Sequence, residues 1–149
     1  NLIRYTADRP GAFGGQCAEY CGGPHALMGF VVVAHPPAEF EAVMRARAAP
    51  APPPATPLAA FGREVFARSG CGACHAIRGT EANGLAGPDL THVGARRTLG
   101  AGILANNQGT LGGWVSNVQA IKPGARMPPY ERLSGEELLA VSAYLDGLE

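Results

Sequence analysis

The amino-acid sequence predicts an α+β chain made of two unlike parts, a β-rich first third and an all-α remainder, and three observations carry that reading. The run Ala48 to Pro57 favours extended polyproline II and cannot continue a helix, so it divides residues 1–47 from residues 58–149 as a semi-rigid spacer. Before it, short apolar stretches flank a loop rich in glycine and cysteine, as strands do. After it, cap signals and 3.6-residue periodicity open and close helices.

Taken in order, Leu2 to Thr6 is strand-like, and the apolar run Gly29 to Ala34 is short enough for a buried strand running from Phe30. Pro37 to Arg47 reads as a short helix carrying Phe40, Val43 and Met44. Beyond the spacer, Thr56 and Pro57 form the N-cap and first residue of a helix through Phe61, Val65 and Phe66. At the far end Ser134 and Glu137 make a capping box, and Leu138, Val141, Leu145 and Leu148 share a face. The stretch between is rich in glycine and proline, so the second part is expected to hold two good helices and a great deal of loop. A domain that small needs something in its middle to complete its core.

Composition excludes several classes. Lys plus Arg equals Asp plus Glu at 12 each, so no basic stripe points to nucleic acid. No apolar run approaches the about 18 residues of a membrane-spanning helix. The chain opens at Asn1 directly on strand-like sequence, which leads us to expect upstream residues, any membrane anchor among them.

The strongest signal is Cys71-Gly72-Ala73-Cys74-His75, the CxxCH attachment motif for c-type haem. Two thiols three positions apart can add to the two vinyl groups of one macrocycle while the adjoining imidazole reaches the iron. A redox CxxC or half a zinc site is the plainer reading, but no second CxxC follows the spacer and the histidine comes at once. Met127 lies in the Pro-locked stretch Lys122-Pro123-Gly124-Ala125-Arg126-Met127-Pro128-Pro129 and is the candidate sixth ligand. His plus Met ligation raises the reduction potential and leaves no open position, which suits outer-sphere electron transfer. A lone methionine can instead be packing filler, and His92 is a competing ligand placed close behind the motif.

With these residues in view, Leu58 to Glu149 resembles the cytochrome c domain fused to the C-terminus of subunit II in caa-type cytochrome c oxidases. The matches are Gly62 and Phe66, the CxxCH motif, Gly87-Pro88-Asp89-Leu90-Thr91-His92, Trp114, Lys122-Pro123-Gly124 before Met127-Pro128, and Tyr144-Leu145. The resemblance implies an all-α class I-type cytochrome c domain in which the Pro88 carbonyl fixes the His75 tautomer and Arg96 and Trp114 lie by the haem propionates. Both roles are physically apt, since a metal-bound imidazole needs its other nitrogen held and a buried propionate needs a cation or donor. Gly62, Phe66 and Tyr144 are read as structural, marking a close crossing of the first and last helices.

The first part carries a second metal signal. Cys17-Ala18-Glu19-Tyr20-Cys21 continues to His25 and Met28, placing two thiolates, an imidazole and a thioether within twelve residues. Soft sulfur with imidazole and a weak thioether is the ligand set of electron-transfer copper. Considered alone, CxxxC could be a disulfide or a copper-delivery site. The stretch is similar to the CxExCxxxHxxM loop of the binuclear copper centre (CuA) in oxidase subunit II. That similarity implies that Cys17 and Cys21 bridge two coppers, that His25 and Met28 bind or cap them, and that Glu19 coordinates through its backbone carbonyl. The family takes a further histidine from an earlier strand of its β-sandwich, and no histidine precedes Cys17. Residues 1–47 are therefore expected to be the C-terminal part of a cupredoxin domain, whose Greek key needs about seven strands.

The implied function is electron entry into a respiratory oxidase on the periplasmic face of a bacterial membrane. Cytochrome c would be the donor, oxidase subunit I the partner, and absent N-terminal helices the membrane link. Two rivals stand beside it. One is a CuA component of a nitrous or nitric oxide reductase, the other a stand-alone shuttle cytochrome whose first 47 residues are a remnant.

Overall fold

A computed structural model describes residues 2–149. Two strands, β1 (Gly11–Gln16) and β2 (Gly29–Ala34), are followed by helix α1 (Pro37–Ala48). Then come α2 (Pro57–Arg68), a two-residue ladder of β3 (Thr98–Leu99) and β4 (Leu104–Ala105), α3 (Gln108–Ile121) and α4 (Gly135–Asp146). Short 3-10 turns occupy His25–Leu27 and Cys71–Ala73.

The cap residues act as the sequence suggests. Thr56 accepts from the Ala59 amide at the start of α2, with Pro57 supplying a preset φ and no donor to satisfy. Ser134 and Glu137 bond reciprocally at the start of α4. Arg68 at the end of α2 pairs with Glu137, tying the two helix ends together.

Three expectations are corrected. Leu2 to Thr6 forms no strand: Leu2, Ile3 and Tyr5 are exposed, and no strand among the described residues pairs with this stretch. The strand that pairs with β2 is instead Gly11–Gln16, antiparallel from Gly11↔Ala34 to Gln16↔Gly29, although its three glycines give it little intrinsic β preference. The second part holds a third long helix, α3, hidden in the sequence by Gly109, Gly112 and Gly113 but opened by an Asn107/Thr110 capping box. Nor is that part wholly helical, since a tight turn at residues 100–102 folds β3 back on β4.

The buried hydrophobic side chains among the described residues all lie between Ala59 and Leu148, where Val65, Phe66, Val115, Val141, Tyr144 and Leu145 bring α2, α3 and α4 together. Helices α2 and α4 cross at Gly62, where an added Cβ would fall 1.9 Å from the Ala140 carbonyl oxygen. One turn on, Phe66 and Tyr144 meet edge to face at 5.8 Å. The obstacle at Gly62 is backbone that cannot rotate away, so Gly62→Ala is expected to destabilise by about 3 kcal/mol, the upper range for overpacking. Denaturant titration checks this, and a change below about 1 kcal/mol would contradict so close a crossing.

Candidate metal-binding sites

Helix α2 ends at Ser69, and Gly70 turns the chain through the left-handed region (φ 75°) into the Cys71–Ala73 turn. That turn is closed by amides of Cys74 and His75 donating to the Cys71 carbonyl at 3.2 and 3.0 Å. Cys71, Cys74 and His75 thereby reach one wall of a cavity of ≈ 940 Å³. Both thiols are free. Burial pushes the Cys71 thiol up from its ordinary pKa, while the Tyr130 hydroxyl hydrogen-bonded to it pulls the other way.

His75 Nδ1 lies 2.8 Å from the Pro88 carbonyl oxygen. A carbonyl only accepts, so Nδ1 carries the proton and Nε2 keeps its lone pair for a ligand. Gly87 leaves room for this ring, because a Cβ there would come within 2.4 Å of the imidazole. Met127, Trp114 and Arg96 line the same cavity. The Arg96 guanidinium also donates to the Asp89 carbonyl. His92 stands elsewhere, with Nδ1 3.0 Å from the Glu149 carbonyl and Nε2 3.2 Å from that of Ala49.

The Met127 stretch is held by a residue for which the sequence offers no signal. Gln119 donates to the carbonyls of Ala125 and Met127 at 2.6 and 3.1 Å, and its own amide oxygen accepts from the Gly124 amide. It can reach because α3 breaks at Asn117 (φ −148°, ψ 77°). The break frees the carbonyls of Val115 and Ser116, which accept from the Tyr130 amide.

The second cluster sits between β1 and β2. Cys17 Sγ is 3.5 Å from Cys21 Sγ, and Cys21 Sγ is 3.6 Å from both His25 Nδ1 and Met28 Sδ. Cys17 Sγ also lies 3.2 Å from the Glu19 carbonyl oxygen. The hydrogen bond shared with Cys17, which favours the protonated form of Cys21, is the main reason the Cys21 thiol is raised from its ordinary pKa. The ligand atoms of Cys17, Cys21 and His25 all fall within 4.8 Å of one another. Thus all five residues singled out in this loop converge on one point.

The cavity fits a covalently held haem on its own terms: two unpaired thiols in the wall, a ring nitrogen free on one side, a thioether in the lining, and walls that are mostly apolar with Arg96, Lys122 and Arg126 among them. Residues 59–149 match the family model described as cytochrome c. The chain belongs to the cytochrome c family. Membership implies covalent haem c in this cytochrome c domain.

The whole chain is also similar to subunit 2 of cytochrome c oxidase. It is 41% identical to that of Alkalihalophilus pseudofirmus over 149 residues, 100% of this chain and 43% of the relative. It is 36% identical to that of Bacillus sp. strain PS3 over 144 residues, 93% of this chain and 40% of the relative. The chain thus spans less than half the length of these relatives. Among solved structures, the c-type cytochrome SorU from Sinorhizobium meliloti is similar at 27% identity, with 60% of this chain and 87% of that one covered and a TM-score of 0.44.

Proposed function

We propose that the chain is an electron relay of a respiratory cytochrome c oxidase, taking electrons from a cytochrome c at its haem and passing them to a CuA centre and on to oxidase subunit I. The observation that carries this is the presence in one chain of two electron-transfer ligand sets, the CxxCH-walled cavity and the loop whose two thiols, imidazole, thioether and carbonyl converge. Similarity to oxidase subunit 2 along the whole chain supports reading them together.

In this reading Cys71 and Cys74 would hold the haem through thioethers, and His75 Nε2 and Met127 Sδ would ligate its iron. Pro88 orients the imidazole, while Arg96 and Trp114, both lining the cavity, would hold the propionates. The haem supplies a one-electron couple whose potential is raised by thioether ligation. Cys17, Cys21, His25, Met28 and the Glu19 carbonyl would be the copper donors. Their soft character favours copper over a hard cation.

Residues 1–47 are then part of a cupredoxin domain, 48–57 a connecting segment and 58–149 the cytochrome domain. The β1–β2 ribbon supports this, because Phe13, Phe30, Val31 and Val33 are exposed on it and two strands alone are marginal in water. No helix among the described residues is long and apolar enough to cross a membrane. Attachment to the outer face of the bacterial membrane would come from subunit I or from further segments of the protein. The chain itself is a carrier, and oxygen chemistry belongs to subunit I.

Titrating copper(I) into reduced, haem-loaded protein tests the copper half. The wild type is expected to take up copper, and Cys17→Ser with Cys21→Ser to weaken uptake by more than about a hundredfold, beyond what losing only a supporting hydrogen bond costs. Equal uptake by both proteins would remove copper from the reading and leave a shuttle cytochrome.

A further inference from the structure

Lys122 is the single lysine among the 12 basic residues, the other eleven being arginine. Its half-buried ammonium joins segments far apart in sequence, donating to the carbonyls of Leu27 and Gly100, each at 2.9 Å. Beside it the Gly29 amide donates to the Ala101 carbonyl at 2.8 Å. Leu27 and Gly29 flank Met28 in the sulfur-rich loop, and Gly29 and Phe30 themselves line the haem cavity. Gly100 and Ala101 belong to the turn between β3 and β4.

That turn is unusual. Gly100, Ala101 and Gly102 are all left-handed, with φ of 64°, 67° and 89°, and Ala101 is the single non-glycine residue with positive φ among the described residues. Such a conformation costs an alanine about 1–2 kcal/mol and persists only where its surroundings hold it. Here they hold it from both sides. A Cβ on Gly100 would meet the Trp114 ring at 2.6 Å, and a Cβ on Gly102 would meet the Gly29 backbone at 3.4 Å. The turn is wedged between a ring that lines the haem cavity and the strand that leaves the sulfur-rich loop. The turn folds β3 back on β4, and it also aims two carbonyls outward, at the Gly29 amide and the Lys122 ammonium.

We propose that Lys122 and the Gly100–Gly102 turn form an internal docking junction that holds the Cys17–Met28 loop in one fixed arrangement against the wall of the haem cavity. A compact ammonium suits this position, since its three donors can meet carbonyls arriving from different directions, whereas a planar guanidinium favours a single bidentate acceptor. Lys122 is thus a positioning residue. The purpose of the junction, keeping two redox sites at constant separation, rests on the relay reading, but its existence does not.

The test uses the haem-loaded 149-residue chain and two measurements that involve neither metal chemistry nor turnover. The first is amide hydrogen exchange at Gly29. Slow exchange is expected in the wild type, and in Lys122→Met an acceleration of about tenfold or more at residues 26–29 and 100–102, as loss of a charge-assisted hydrogen bond implies, with amides of α2 and α4 unchanged. The second is acylation of the wild type by an amine-specific reagent, for which Lys122 is the only side-chain target. Slow modification of Lys122, followed by the same acceleration at Gly29, is expected. Gly29 exchanging at the rate of a free peptide in the wild type, or protection unchanged after either loss of the ammonium, would overturn the junction. Lys122→Arg serves as a second variant that keeps the charge and should restore protection only in part; full protection in Lys122→Arg would remove the geometric argument. Haem attachment and copper uptake decide the relay reading, so the two can fail separately.

Discussion

Replacing both Cys71 and Cys74 with alanine is expected to release the haem and, with it, most of the stability of residues 59–149. The covalent half follows from bonding, since without thiols no thioether links the macrocycle to the chain, and acid with organic solvent should extract what the wild type retains. The stability half follows from where the cavity lies. Its walls include Val65, Phe66, Leu90, Leu111, Val141 and Leu145, which also form the hydrophobic core. Leaving ≈ 940 Å³ without its occupant would strip contacts from most of these side chains at once, a loss that competes with the about 5–15 kcal/mol that holds a typical domain. Water entering the open side lowers that cost but does not restore the lost apolar contacts. The double variant should keep helical far-ultraviolet dichroism while losing near-ultraviolet signals and a cooperative melt. A sharp transition within about 5 °C of the wild type would show that α2, α3 and α4 pack without the cofactor.

Replacing Met127 with leucine is expected to lower the reduction potential by on the order of 100 mV or more and to open the iron to carbon monoxide or cyanide. The sign is fixed by chemistry: a thioether stabilises the ferrous state, so its removal favours the ferric one. Leucine fills nearly the same volume, which separates loss of the ligand from loss of packing. Gln119→Leu should give a weaker form of the same change, because it releases the carbonyls of Ala125 and Met127 while leaving the sulfur in place. Potentiometric titration measures both. An unchanged potential in Met127→Leu would exclude this ligand, and His92 would be a poor replacement because both its ring nitrogens face carbonyls outside the cavity.

Much of this architecture was legible wherever local chemistry decides the outcome. Caps at Thr56 and Ser134 announce their helices, and CxxCH and the Cys17 to Met28 spacing bring donor atoms together because short turns leave them little choice. Legibility failed where distant parts of the chain decide. Gly11–Gln16 is a strand because β2 offers it an edge, and Leu2–Thr6 is not one for want of a partner. Helix α3 survives its glycines because Leu111, Val115 and Val118 are buried in the core, a tertiary gain that overrides propensity. Gln119 and Lys122 act through carbonyls, and a backbone carbonyl leaves no mark in a sequence.

The proline- and alanine-rich segment ahead of α2 is less of a free tether than its composition suggests. Ala51 donates to the Arg78 carbonyl at 2.9 Å, Arg78 donates in turn to the carbonyls of Arg47 and Ala49, and His92 also meets Ala49. The consequence is one of effective concentration. Two separate proteins meeting through a few hydrogen bonds such as those of Lys122 and Gly29 would barely associate, because binding must first offset lost translational and rotational freedom. Joined by a short tether, the same surfaces see each other at millimolar concentration, and strapping the tether down removes many of the arrangements in which they are apart. A contact far too weak to form a complex is therefore sufficient to keep the sulfur-rich loop beside the haem cavity nearly all the time, and it can do so without the broad apolar interface that would otherwise be needed.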